Sequence, residues 1–230
     1  MPEKTARELL PLRAEAQSSE ERRRYFMKKI FLALIVVCFA VSPSWALITN
    51  GSFELGNYPV ANPPLTTLNT GSPDLSGWTI GGSIDWVGSY WPAADGVKSI
   101  DLAGTGYGWI SQTFDTVAGN LYHVTFFMAG NPAGVDPIKD LFVNAGSNAA
   151  NYSFDITGIS LFYMGWDQKL FDFTAIINKT TLTFVSLEGS SPFGPALDNI
   201  QVAAVPIPAA AWLLGSGMVG LVVIRRRKVS

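Results

Sequence analysis

Cysteine and histidine are nearly absent from this chain of 230 residues, which holds one of each, Cys38 and His123. A disulfide framework, a clustered zinc site and a Cys/His nucleophilic pair with supporting partners are therefore excluded. Charge is also scarce, at 15% of residues against 48% apolar ones. Arginine is missing throughout residues 47–204, where four lysines stand against thirteen aspartates and glutamates, a formal charge of −9. Nucleic acid needs clustered Lys and Arg to neutralise its phosphates, so it is not a partner of this segment. A polyanionic glycan is repelled unless a cation intervenes. No Gly-x-Ser-x-Gly elbow is present, and Gly104-Thr105-Gly106-Tyr107-Gly108 lacks the spacing of a phosphate cradle and reads as a tight turn.

Apolar residues concentrate at the two ends. Met27 opens a second start, followed by the basic pair Lys28 and Lys29, an apolar run over 30–41, and the small-x-small site Ser44-Trp45-Ala46. That order is a signal peptide for signal peptidase, with cleavage expected after Ala46 and Cys38 lost with it. Residues 1–26, with five acidic and six basic side chains, read as an over-extended gene start. The alternative is a cytoplasmic extension ahead of an uncleaved anchor, which the short run disfavours.

The other end begins at Val205 with Pro206-Ile207-Pro208, continues through an apolar stretch over 209–224, and closes on Arg225, Arg226, Arg227 and Lys228. The basic cluster places the terminus on the cytoplasmic side and the preceding domain outside. Sixteen helical residues reach about 24 Å against a hydrocarbon core of about 30 Å, a marginal span. With Trp212-Leu213-Leu214-Gly215-Ser216-Gly217, this tail resembles the PEP-CTERM sorting signal, although Ile207 stands where the name-giving motif has Glu. The resemblance implies recognition by an exosortase in the inner membrane and export to a polysaccharide-rich cell surface. An ordinary single-pass anchor is the alternative.

Between the signals, residues 47–204 suffice for one domain with a sizeable core. Leu170, Asp172 and Thr174 alternate with Phe171, Phe173 and Ala175, and Leu182 and Phe184 alternate with Thr181 and Thr183. These are half-buried strands. Residues 120–128 are apolar on both faces, as in a central strand, and further strands are expected at 47–54, 84–88, 99–103, 108–114, 140–144, 151–156 and 197–203. Pro59, Pro63 and Pro64 mark a long early loop. About ten short strands make the fold class all-β, a jelly-roll β-sandwich.

The frame Asn50-Gly51-Ser52-Phe53-Glu54, Gly77-Trp78, Gly82-Ser83-Ile84-Asp85, Gly96-Val97-Lys98-Ser99-Ile100-Asp101-Leu102, Ile110-Ser111-Gln112-Thr113 and Leu197-Asp198-Asn199-Ile200 resembles the choice-of-anchor C family. That family is similar to galactose-binding-like jelly rolls, including plant cell-wall domains of unknown function. The resemblance further implies that Glu54 and Asp198 lie together around a structural Ca²⁺, the kind of hard cation that carboxylates suit. The alternative is that Glu54 caps a turn and Asp198 bonds locally.

Trp78, Trp86, Tyr90, Trp91, Tyr107 and Trp109 crowd a region rich in Gly, Ser and Asp. Sugar rings offer C–H faces to aromatic planes and hydroxyls to carboxylates, so Trp91, Tyr90, Asp95 and Trp86 are the candidate glycan contacts. Trp91, before Pro92, is the one expected to be most exposed, while Trp78, Trp86 and Trp109 sit beside strand patterns and suit a core. Asp85, Asp95 and Asp101 are the only carboxylates offered for a glycosidase pair. His123, mid-strand, reads as structural. The expected function is a non-enzymatic, exported surface or matrix protein that binds or structures extracellular polysaccharide. A matrix protein with protein partners alone, or a glycan hydrolase, is the alternative.

Overall fold

The computed structural model describes residues 47–205 and, apart from them, 20 and 22–25, a helical stretch in which Arg24 pairs with Glu20. Ser44–Val205 forms one compact unit. Residues 27–46 and 206–230, and with them the signal peptide, the Pro206 and Pro208 pair, and Arg225, Arg226 and Arg227, lie outside the described residues. Among the described residues no helix is long and apolar enough to cross a membrane.

The described residues form ten strands: β1 (Leu65–Asn69), β2 (Thr79–Val87), β3 (Ser99–Asp101), β4 (Gly108–Asp115), β5 (Leu121–Gly130), β6 (Ile138–Ala145), β7 (Asn148–Asp155), β8 (Asp167–Thr174), β9 (Lys179–Ser186) and β10 (Pro195–Ala204). Every pairing is antiparallel. One layer runs β1-β2-β3-β10-β5-β8 and the other β2-β4-β9-β6-β7. The fold is an all-β, jelly-roll-like sandwich.

β2 belongs to both layers. Its first half, from Thr79 to Gly82, pairs with β4, and from Ser83 onward it pairs with β1 and then β3. Gly81 and Gly82 permit the change of sheet. A Cβ on Gly81 would lie 1.9 Å from the Trp109 ring, and Gly82 has φ +67 with the Tyr107 carbonyl 2.4 Å from where a Cβ would sit. Strands that switch sheets need such a bend.

The core follows from period-two alternation. In β5, Tyr122, Val124, Phe126 and Met128 are buried while His123, Thr125 and Phe127 are half-exposed on the outer face. Phe126 meets Phe184 of the opposite layer at 5.2 Å between ring centroids, and Phe114 of β4 meets Phe173 of β8 at 6.2 Å. Each such ring contributes roughly 1.5–3 kcal/mol by leaving water. Tyr152 of β7 donates its hydroxyl to the Leu170 carbonyl of β8, joining the two edge strands of opposite layers.

The sequence reading needs two corrections. Residues 47–54 are not a strand, because Asn50 and Phe53 take φ 56 and φ 60, left-handed conformations that break extended structure. A strand not among those expected, β1, follows Pro64 directly. At the far end the Val205 amide donates to the Leu121 carbonyl, so the sandwich holds the chain through Val205 itself.

Candidate functional site

The two ends of the domain meet. Gly51 accepts a backbone hydrogen bond from Ile200 at 2.9 Å, and a Cβ on Gly51 would lie 1.9 Å from the Ile200 carbonyl oxygen. Only glycine fits there. The Asn50 side chain donates to the Leu55 and Ser76 carbonyls and accepts from the Leu55 amide, closing the turn locally. Phe53 is fully buried, and its carbonyl accepts the indole N–H of Trp86. The Asn-Gly-Ser-Phe-Glu motif is thus a knot in which Asn50, Gly51 and Phe53 each have a packing or bonding task.

That knot and β10 together hold the loop at 88–98, between β2 and β3. Glu54 Oε1 accepts the Val97 and Lys98 amides at 2.7 and 2.6 Å, and Oε2 lies 3.6 Å from the Lys98 ammonium. Asp198 Oδ2 accepts the Ala94 and Asp95 amides at 2.7 and 2.8 Å, while Oδ1 accepts Asn199 N–H. Burial pushes Asp198 up to about 7 against these lowering donors, with the Asp95 charge adding to the rise. Glu54 and Asp198 therefore hold the same loop through its amides, and this donor set does not fit a cation between them. Their oxygens face N–H groups and an ammonium, the positive partners a cation would displace. Among the described residues no three His, Cys, Asp or Glu side chains converge on a metal site.

The aromatic candidates divide. Trp86 is fully buried, with Tyr58 against it edge-on at 4.9 Å, and cannot offer a face to a ligand. Trp91, expected to be exposed, is 3% exposed, its indole N–H donating to Ser99 Oγ at 2.8 Å. The reason is physical: a Trp on a pinned loop buries a large apolar surface and finds its one polar partner in the buried Ser99 hydroxyl of β3. Trp78 is likewise core. Tyr90 is half-buried, tilted on Trp91 at 5.4 Å, and Asp95 is exposed, so these two candidates remain at the surface of the loop.

Asp85 and Asp101 stand directly opposite one another across β2 and β3. Asp85 accepts the Thr67 hydroxyl at 2.6 Å. Asp101 is fully buried, accepting the Ala103 and Gly194 amides on Oδ1 and the Asn131 side-chain N–H on Oδ2. Burial pushes Asp101 up to about 8 despite these donors, and burial also raises Asp85. Asp85 is taken up by Thr67 of β1 and Asp101 by loop groups at zero exposure, and Asp95 lies apart on the 88–98 loop, so the three do not present a glycosidase pair. His123 has a partner that the sequence did not reveal: its Nδ1 lies 2.5 Å from Asp172 Oδ1 on the outer face of β5 and β8.

Residues 46–203 match the family model described as a protein of unknown function, DUF642. The chain belongs to this family. It is 33% identical over 171 residues to Halomucin of Haloquadratum walsbyi, an alignment that covers 72% of this chain and 2% of Halomucin. The chain thus spans a small fraction of that relative's length. Among solved structures, the DUF642 domain is similar to a family 61 carbohydrate-binding module in complex with beta-1,4-galactotriose, at 15% identity and a TM-score of 0.44 over 70% of this chain and 100% of that one. It is also similar to a family 35 carbohydrate-binding module from Paenibacillus barcinonensis, at 20% identity and a TM-score of 0.41 over 61% and 99%.

Sequence reasoning missed Asn131, which fixes Asp101, and the apolar turn at 160–163 with its link to the 88–98 loop. For the turn, a signal was available in the run Leu161-Phe162-Tyr163 between Gly158 and Gly165.

Proposed function

We propose that this is an exported surface or matrix protein whose sandwich binds or structures extracellular polysaccharide, with the 88–98 loop as its contact surface. One observation carries the reading: carboxylates from both ends of the domain take four backbone amides of the 88–98 loop, where Asp95 is exposed and Tyr90 half-exposed beside it. Pinning removes conformational freedom before binding, so less entropy is lost when a ligand arrives. An aromatic ring beside a carboxylate suits a sugar, whose C–H face stacks while its hydroxyls donate. The role is binding and not catalysis. The relation to a segment of Halomucin supports an extracellular setting. Export proceeds by the signal peptide over 27–46, with signal peptidase, and by the Val205-to-Arg227 tail, with exosortase, through a transient inner-membrane precursor.

The test is affinity electrophoresis of the Ser44–Val205 unit through native gels containing the producing cell's own exopolysaccharide. Retardation is expected, reduced by Tyr90→Ala and by Asp95→Ala. Unchanged mobility of a folded sample withdraws the binding role. For the tail, replacing Arg225, Arg226 and Arg227 by Ser is expected to accumulate unprocessed precursor in membrane fractions, and normal processing would remove the sorting reading.

A further inference from the structure

The turn at 160–163 carries two large rings into solvent: Phe162 is 93% exposed and Tyr163 is 68% exposed. Its geometry is fixed. Ser160 N–H donates to the Tyr163 carbonyl at 3.0 Å and Tyr163 N–H to the Ser160 carbonyl at 2.9 Å, closing a turn with Leu161 and Phe162 at its tip. The base is packed, since Met164 is buried and a Cβ on Gly165 would lie 2.7 Å from the Ile159 side chain. The fold gains little from rings held in water, and exposing them carries a hydrophobic cost.

Position adds a second observation. Trp166 donates its indole N–H to the Pro92 carbonyl at 2.9 Å, tying the segment that follows the turn to the loop that carries Tyr90 and Asp95. Charge adds a third. All four lysines of the domain are already in ion pairs, Lys98 with Glu54, Lys139 with Glu188, Lys169 with Asp167 and Lys179 with Asp115. With no arginine in 47–204, the domain has no uncommitted Lys or Arg to offer a uronate or sulfate.

We infer that the 160–163 turn is a second stacking platform, with Phe162 and Tyr163 receiving neutral sugar rings of the same polysaccharide strand that crosses the 88–98 loop. This deepens the glycan-binding reading and rests on it. The ligand class is neutral polysaccharide, engaged over more than one sugar unit. Polyanionic polymers are excluded unless a divalent cation bridges them.

The experiment is affinity electrophoresis of the Ser44–Val205 unit, whose ends are already joined through Gly51 and Ile200, in gels of neutral galactan, β-glucan or α-mannan and of anionic alginate or polygalacturonate. The variants are Phe162→Ala/Tyr163→Ala, Tyr90→Ala, and Val135→Ser as an exposed apolar control on another loop. Both platform rings lie mostly in water, so the double variant keeps its core. The expected result is retardation by at least one neutral polymer, weakened about tenfold in the double variant and unchanged in the control, with none by alginate in chelator. If the wild type is retarded and Tyr90→Ala weakens it but the double variant does not, the platform is overturned and the loop reading stands. If no polymer, including the native exopolysaccharide, retards the folded wild type, both are withdrawn. Retardation by alginate in chelator overturns the charge selectivity. Binding to phosphatidylcholine vesicles that the double variant abolishes would make the turn a membrane contact instead.

Discussion

The buried acids predict an unusual pH dependence of stability, in which two effects compete at the same atoms. Asp101 and Asp198 each accept three N–H donors, which favour the ionised form, but both are removed from water, which favours the neutral one. Burial wins at both sites, raising Asp101 to about 8 and Asp198 to about 7 from an ordinary 3.8. Between the unfolded and folded values the native state holds a proton that the unfolded chain has released. Stability is therefore highest at the acid end of that window and is lost as pH rises, until about 7 for one group and about 8 for the other. Each proton contributes a slope of roughly 1.4 kcal/mol per pH unit, so the pair removes about 4 kcal/mol between pH 5 and 6.5. Typical domains hold only about 5–15 kcal/mol in total. Urea unfolding of the Ser44–Val205 unit at pH 5, 6.5 and 8 measures this directly. Asp101→Asn, neutral at every pH, should flatten about half of the slope. Wild-type stability that is constant or rises from pH 5 to 6.5 would refute the reasoning and show that the N–H donors, not burial, decide the charge.

Further expectations concern the frame. Phe184→Ala opens a cavity between the layers, where Phe126 and Trp78 lose their partner, and should cost about 3–5 kcal/mol by chemical denaturation. Lys139→Met leaves Glu188 with its amide partner but no ammonium in a buried site, and a loss of about 3–5 kcal/mol is expected from the same assay. Gly51→Ala drives a methyl group into the Ile200 carbonyl, so reduced soluble yield and faster proteolysis at the joined ends should follow. Chelator should leave the thermal midpoint unchanged while Glu54→Gln lowers it; a calcium-dependent midpoint would restore a cation at Glu54 and Asp198.

Much of the sandwich was legible because a strand with one wet face writes its own alternation, as β5, β8 and β9 do. β1 was hidden by Pro63 and Pro64, which read as loop, and by its short Thr-rich run. The N-terminal motif was read as a strand although Asn50-Gly51 is itself a turn signal, and nothing local reveals that Phe53 turns left-handed as well. That conformation depends on Gly51 pressing against Ile200, about 150 positions away. Trp91 was misread for a similar reason. Pro92 and the surrounding small residues signal a loop, whereas the Ser99 hydroxyl that buries the indole is a tertiary fact. Glu54 and Asp198 were singled out by family resemblance as cation ligands, yet the partners they have, four amides of one loop, carry no side-chain signature and so leave no trace in sequence.

The position of β10 has a mechanical consequence. It lies between β3 and β5, and it pairs with β5 over Pro195 to Asp198 and again over Gln201 to Ala204, with a bulge between. Any load on the chain beyond Val205 is drawn along this interior strand, in shear across bonds that must fail together and not one by one like a zipper. The bond between Ile200 and Gly51 ties the N-terminal knot to the same strand. A pull applied at Val205 is thus taken by an interior strand, while β7 and β8 lie at the edges of the two layers.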